Sequence, residues 1–393
     1  MSQARLGLVA LSALALSGAC ASPVPDLAEG PPGEPLPGLT QAESDRFAQG
    51  RALFAREFTE DDGLGPLFNQ ARCSSCHDLP TSGGHGAEPV RKATRWDGTR
   101  CDLLVEGGGD LLQTSVTDRG RAAGLVPELT PEGATGVVEL QAPPLYGLGL
   151  VEAIDPADLR AAADPDDADG DGISGRLAPG DADGPGRFGM KANHSTLYSF
   201  IEEATRGELG LTTPDHPFET RPQGGSVPEA ADPASDPEVD RGFLDVVTAY
   251  VRFLAPPEPV LPTDPGARAL IAEGREAFDA VGCASCHTPE WTTGPNPSPA
   301  LDRVRFRAYS DFLLHDLGPD VADICGPSAS PSEWRTARLV GLAHRRAYLH
   351  DGRAQSIDAA IQRHGGEATA SRDRYRSLPE EARQNLLRFL QSL

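Results

Sequence analysis

The sequence predicts a mainly α-helical chain built from two similar units, with long loops and a few short strands. Three observations carry that expectation. A pentapeptide of the form Cys-x-x-Cys-His occurs twice, as Cys73-Ser-Ser-Cys76-His77 and Cys283-Ala-Ser-Cys286-His287. A helix-like run with an echoed phrase precedes each copy, Gly50-Arg-Ala-Leu-Phe54 before the first and Gly274-Arg-Glu-Ala-Phe278 before the second, which marks an internal repeat. Residues 100–150 hold short Val and Leu runs cut by Gly and Pro, a pattern of small strands and loops rather than a large sheet.

The pentapeptides carry the chemistry. Cysteines at i and i+3 share one face of a helical turn, where both reach the vinyl groups of one porphyrin, and the His at i+4 comes under the iron. Each pentapeptide is therefore a complete c-type haem attachment site, and the expected units are two cytochrome c-like haem domains. His77 and His287 are the proximal iron ligands by position. Structural zinc is the alternative, but it gathers its Cys and His pairs within a few tens of residues, whereas these pairs lie at positions 73 and 283.

In chain order, residues 1–20 begin with Arg5 and an apolar run, Leu6 to Leu16, too short to span a bilayer. They read as a secretory signal. Ser17-Gly-Ala-Cys20 resembles the lipobox of bacterial lipoproteins, so a lipid on Cys20 is expected, with ordinary cleavage near Ala21 as the alternative. Export to the periplasm or an outer-membrane anchor of a bacterium follows from either route. Residues 21–40, rich in Pro, Gly, Glu and Asp, have the composition of a flexible tether. The first unit is expected over 41–255, opening with a helix from Ala42 to Phe58 and closing with one from Gly242 to Leu254. Pro-rich residues 256–266 read as the linker. The second unit, 267–393, opens with a helix from Ala267 to Val281 and ends in a periodic helix from Pro379 to Leu393.

Two further clusters stand out. Asp167, Asp169 and Asp171 alternate around Gly170 and Gly172, so several hard oxygens could meet one Ca²⁺. The loop is not a full EF-hand, because Ala178 stands where a bidentate Glu is needed, and the alternative is a solvated acidic loop. Of the seven Cys, Cys20 and the four motif cysteines leave Cys101 and Cys325. In an oxidising compartment this pair is expected to form a disulfide, the alternative being two separate thiols. The net charge of −23 argues against nucleic acid and anionic lipid as partners, and favours a small soluble redox carrier, a cytochrome or cupredoxin. Membrane contact is expected only through the lipid.

The chain resembles the di-haem oxidoreductase family, whose members are labelled thiol oxidoreductases or peroxidases and are related to bacterial di-haem cytochrome c peroxidases and MauG-type enzymes. The resemblance rests on Leu64-Gly-Pro-Leu-Phe-Asn69, Ala142-Pro-Pro-Leu-Tyr-Gly-Leu-Gly149, Gly186-Arg-Phe-Gly-Met-Lys-Ala-Asn193, Tyr309-Ser-Asp-Phe-Leu-Leu-His-Asp316, Glu333-Trp-Arg-Thr336, Tyr348-Leu-His-Asp-Gly-Arg-Ala354 and Ile361-Gln-Arg-His-Gly-Gly-Glu367. It implies two facing haem domains that pass electrons between their irons, and a haem-dependent oxidoreductase. The expected activity is reduction of a small oxidant such as hydrogen peroxide at the first haem. A non-catalytic electron-transfer cytochrome with both irons six-coordinate is the alternative. Thiol oxidation has only the label behind it, because haem consumes the Cys-x-x-Cys sulfurs.

Function turns on the sixth ligands, since an iron with a strong sixth ligand shuttles electrons while an open one binds peroxide. His364 occupies the place of the Met that ligates the second haem in the peroxidase relatives, so a His287/His364 pair is expected. The alternative is a helix-capping His before Gly365. His85, flanked by glycines, is the candidate distal group or general base of the first haem. Apart from Met1, Met190 is the only Met. It stands where the family has a Trp, and is either a ligand of the first haem or a packing residue. Arg353 is the candidate propionate partner, and His315 and His350 are candidates for the second haem pocket.

Overall fold

The computed structural model describes residues 27–393. The expected signal segment, Cys20 with its lipid, and the first part of the tether lie outside the described residues. No helix among those described is long and apolar enough to cross a membrane.

Helix α1 (Gln41–Phe54) starts at Thr40, whose hydroxyl accepts from the Glu43 amide while the Glu43 carboxylate accepts from the Thr40 amide, a reciprocal cap of two orphan donors. It stops short of the expected Phe58, because the Phe58 amide turns away to the Ala71 carbonyl at 2.8 Å. Strand β1 (Leu67–Phe68) precedes the first motif, which sits on a single tight turn. Then come β2 (Val90–Trp96), β3 (Cys101–Asp102), β4 (Leu111–Leu112), β5 (Ser115–Val116), helix α2 (Asp118–Ala122) and β6 (Gly136–Leu140). β2 pairs antiparallel with β3, β4 and β6, while β5 returns to β1.

Short helices α3 (Leu148–Glu152) and α4 (Pro156–Ala162) lead into the acidic loop, and α5 (Leu197–Leu209) and α6 (Arg241–Arg252) complete the first half. The second half contains α7 (Pro265–Ala280), the hairpin strands β7 (Glu290–Thr292) and β8 (Arg305–Arg307), the antiparallel pair β9 (Leu314–Asp316) and β10 (Glu333–Arg335), and helices α8 (Ile357–Gln362), α9 (Thr369–Ser377) and α10 (Glu380–Ser392). Helical residues thus outnumber strand residues, the strands are short, and much of the chain is loop.

The echoed phrase does the same work in both halves. Phe47 and Phe54 of α1 pack on Tyr250 of α6 with ring centroids 5.1 and 5.0 Å apart. Phe278 of α7 packs on Phe389 of α10 at 5.5 Å. Gly50 and Gly274 lie at the two crossings, where the facing backbone leaves no room for a Cβ. Phe54 and Phe278 then reach the motif histidines, His77 at 6.2 Å and His287 at 6.4 Å.

Two expectations about the joints need correction. Residues 27–40 are not a free tether: Ala28 and Leu36 are buried, the Ala28 amide donates to Arg305 and the Leu36 amide to Phe253, and Glu29 pairs with Arg307 at 2.7 Å. Nor do residues 256–266 merely link. Pro256 and Pro257 are buried, the Pro256 carbonyl accepts from Gly30, and Val260 donates to Ser392. Composition alone suggested looseness because Pro and Gly also suit an extended segment docked along a surface. The larger core accordingly joins residues of both halves, with Leu301, Phe306 and Phe312 packed among Phe54, Leu150 and Tyr250. A smaller core built from α7, α8, α9 and α10 belongs to the second half. Cys101 and Cys325 form a disulfide across the halves, Cα atoms 5.7 Å apart.

Candidate functional site

A single cavity of about 500 Å³ is lined by both pentapeptides, Cys73, Cys76 and His77 on one side and Cys283, Cys286 and His287 on the other. The four cysteines are free thiols, not disulfides.

Three cavity imidazoles share one arrangement. The Nδ1 atom of His77 faces the Gly84 carbonyl at 3.0 Å, that of His287 faces Tyr309 at 2.9 Å, and that of His364 faces Ala360 at 2.9 Å. A carbonyl only accepts, so each ring must carry its proton on Nδ1, and the lone pair lies on Nε2. That is how a metal-ligating imidazole is oriented. Burial lowers the basicity of all three, His287 to about 4, with repulsion from His364 adding to the fall at His287 and repulsion from Arg372 adding to it at His364. His364 follows α8 at its C-terminal end, bonds back to the helix through Nδ1, and lines the cavity.

The other cavity imidazoles are committed elsewhere. His315, opposite Trp334 in the β9–β10 pair, lies between Asp311 (2.8 Å) and Glu367 (2.9 Å), 3.9 Å from Cys286 Sγ. Burial opposes its charge, but these acceptors override it and raise its pKa to about 12. His350 gives Nε2 to Asp323 at 2.7 Å and stacks on Trp334 at 3.8 Å. The Lys191 ammonium covers the Trp334 ring, 3.4 Å from its centroid.

Three arginines that the sequence reading passed over line the same cavity. Arg335 and Arg338 bond only to carbonyls, of Gly189 and Thr336, and of Pro144 and Tyr146. Arg345 leaves Nε without a partner. Burial pulls Arg335 down to about 10, and burial with repulsion from Arg335 pulls Arg338 down to about 9. Enclosed guanidinium groups without a carboxylate are costly unless an anion joins them. Paired thiols, Nε2 lone pairs and unpaired guanidinium groups in one cavity fit haem with its two propionates. The guanidinium positions were hidden in the sequence because their counter-charge is not supplied by the peptide. Arg353, proposed for this role, is instead held by Asp323 and Asp351 and stays out of the cavity.

His85 also needs correction. Gly84, its neighbour, accepts from the back of the His77 ring, and the His85 amide bonds to Leu79. His85 therefore stands behind His77, with Arg345 and His344 nearby, and does not line the cavity. The glycines beside it serve close packing rather than mobility: a Cβ at Gly84 would fall 1.9 Å from Leu79 O, and at Gly86 2.0 Å from Cys76 O.

Acid–base groups on the first side come instead from α5. Glu208 lines the cavity, accepts from Asn69 Nδ2 at 2.9 Å, and is pushed by burial up to about 7. Its charge also raises the Cys73 and Cys76 thiols. One turn and a half earlier, Glu203 meets His194 and Lys92. Met190 lines the wall between the motifs, packed in the apolar cluster of Trp334, Leu317 and Leu349. The Asp167, Asp169 and Asp171 carboxylates come within 4.8 Å of one another on the exposed loop, far along the chain from either motif, and each accepts from an amide of that loop.

Residues 137–393 match the model of the family described as "Di-haem oxidoreductase, putative peroxidase". The first pentapeptide precedes that stretch. A search of the curated proteins finds no significant match. Among solved structures, the chain is similar to hydrazine synthase of Kuenenia stuttgartiensis, with 15% identity, 98% of this chain and 100% of that chain covered and a TM-score of 0.43. It is also similar to the diheme peroxidase BthA of Burkholderia thailandensis, with 15% identity, 89% and 86% covered and a TM-score of 0.40.

Proposed function

We propose, because the chain belongs to the di-haem oxidoreductase family, that it is an exported, peroxidase-like oxidoreductase whose two haems are bound covalently in two cytochrome c-like units. The Cys73 and Cys76 sulfurs hold one haem and the Cys283 and Cys286 sulfurs the other, with His77 and His287 as proximal ligands. When bound, the haems supply one-electron chemistry and, where a coordination position stays open, a place for a small oxidant.

The observation that carries an enzyme rather than a plain carrier is the inequality of the two sides. The second side offers His364, with Nδ1 tied to Ala360. The first side presents Glu208, a carboxyl with a pKa near 7. A group poised there takes a proton from hydrogen peroxide and returns it to the departing oxygen. Arg335, Arg338 and Arg345 supply the positive charge that neutralises propionates. Electrons come from a small soluble redox carrier, and a lipid on Cys20 tethers the chain. The acidic loop at Asp167 is a candidate Ca²⁺ site of secondary importance.

Low-temperature electron paramagnetic resonance of the oxidised holoprotein tests the reading. A high-spin ferric signal that peroxide removes is expected beside a low-spin one. Two low-spin signals unmoved by peroxide in every redox state would leave only electron transfer.

A further inference from the structure

His194, like His315, lines the cavity with a carboxylate on each ring nitrogen. Its ring is 7% exposed, with Nδ1 2.6 Å from Asp181 Oδ2 and Nε2 2.5 Å from Glu203 Oε2. Two carboxylates on opposite edges of one ring favour the imidazolium, and both raise its pKa against burial. The ring packs on Phe200 with centroids 5.4 Å apart, and Asp181 Oδ1 is anchored by the Ser195 amide at 2.9 Å.

The two carboxylates differ in whether they line the cavity, Asp181 lying outside its lining and Glu203, with 42% of its side chain accessible, within it. Asp181, on the loop before Gly184, keeps 32% of its side chain accessible and does not line the cavity. Glu203 lines the cavity beside Lys92, with His194 between. Lys92 in turn bonds Asp110 at 3.0 Å, and Arg206 acts on Glu203 from the same helix. Lys92 and Glu203 both act electrostatically on Glu208, the first holding it down and the second pushing it up. A line of contacts thus runs from Asp181, outside the cavity lining, through His194 to Glu203 within it.

We propose that His194 is a proton conduit, passing protons between water at Asp181 and Glu203 in the first-motif side of the cavity. The imidazolium gives its Nε2 proton to Glu203. The neutral ring turns over and is recharged from Asp181, which takes its proton from water. One proton crosses per cycle and no electron moves along this path. Reduction of a peroxide to water consumes two protons for every two electrons, so the reaction draws on a proton supply. The inference rests on the peroxide-reducing reading above for its purpose, but the conduit itself is testable without it.

The test uses the holoprotein and its His194→Gln and Asp181→Asn variants. Proton uptake is followed with a pH-indicator dye during rapid chemical reduction, and peroxide turnover is followed with and without added imidazole. His194→Gln is expected to slow proton uptake by about tenfold or more, to leave the haem spectra unchanged, and to be rescued by free imidazole. Asp181→Asn, near the surface, is expected to slow uptake in the same direction while keeping the fold. Wild-type uptake rates in both variants, or a loss that imidazole does not restore while the spectra stay native, would overturn the conduit. Absence of peroxide turnover in the wild type, with uptake still dependent on His194, would overturn only the peroxidase reading.

Discussion

Gly50 and Gly274 occupy equivalent crossings in the two halves: a Cβ on Gly50 would lie 2.3 Å from the Val246 carbonyl oxygen, and one on Gly274 would lie 1.9 Å from that of Asn385. Each crossing brings the helix ahead of a Cys-x-x-Cys-His motif against a later helix. Because the obstacle is main chain, no rotamer change relieves it.

Replacing either glycine with Ala sets two effects against each other. Helix propensity favours Ala by about 1 kcal/mol. Overpacking costs about 1–3 kcal/mol, more when backbone must move. The second wins at these distances, so Gly50→Ala and Gly274→Ala are expected to lower the urea midpoint, with Gly274→Ala the more severe. An unchanged or raised midpoint would show that the crossings can open at no cost.

This repeat was legible because helix contacts are local in sequence: the four-residue step from Gly50 to Phe54 and from Gly274 to Phe278 already states which face meets a partner. The leftover pair Cys101 and Cys325 was legible by elimination. What composition hid was docking. Nothing in residues 27–40 says that Glu29 meets Arg307, because the partner lies in the other half. His85 misled because a glycine-flanked loop reads as mobile, whereas Gly84 and Gly86 are small so that chain can pass close. Arg338 stayed invisible because only carbonyls, and no carboxylate of the chain, meet it, and Glu208 because a lone Glu on an amphipathic helix is ordinary until a cavity is seen around it.

The Cys101–Cys325 disulfide closes a separation of 224 residues. Loss of a native disulfide from small secreted domains costs about 2–5 kcal/mol, and longer loops gain more from closure. A double Cys101→Ser, Cys325→Ser variant is expected to lose stability in that range by urea denaturation. Dithiothreitol should reproduce the loss in the wild type, because the proposed thioethers to haem would resist thiol reductants. Equal stability of variant and wild type would assign the bond no structural role.

His364 tests the inequality of the two sides. With its Nδ1 tied to Ala360, its Nε2 is the atom proposed to ligate the second haem. His364→Ala is expected to convert that haem from low-spin to high-spin in the optical and paramagnetic spectra, and His364→Met to keep it low-spin at a higher potential. A low-spin spectrum unchanged in His364→Ala would reduce His364 to a cap on the carbonyls of α8.

Glu208 tests the chemistry. Burial is the main cause of its raised pKa, only partly offset by Asn69 and Lys92. Below about 7 the carboxyl is protonated and cannot accept a proton from peroxide; above it the carboxylate can. The rate of peroxide consumption should therefore rise with pH through this value and level off. Glu208→Gln preserves size and the contact with Asn69 but cannot titrate, so turnover should fall by about 10²–10⁴-fold and lose the inflection, with the haem spectra intact. Lys92→Met supplies the sign control. Removing its positive charge takes away a term that lowers the Glu208 pKa, so the inflection should move to higher pH. A shift to lower pH, or an inflection retained in Glu208→Gln, would place the titrating group elsewhere in the cavity.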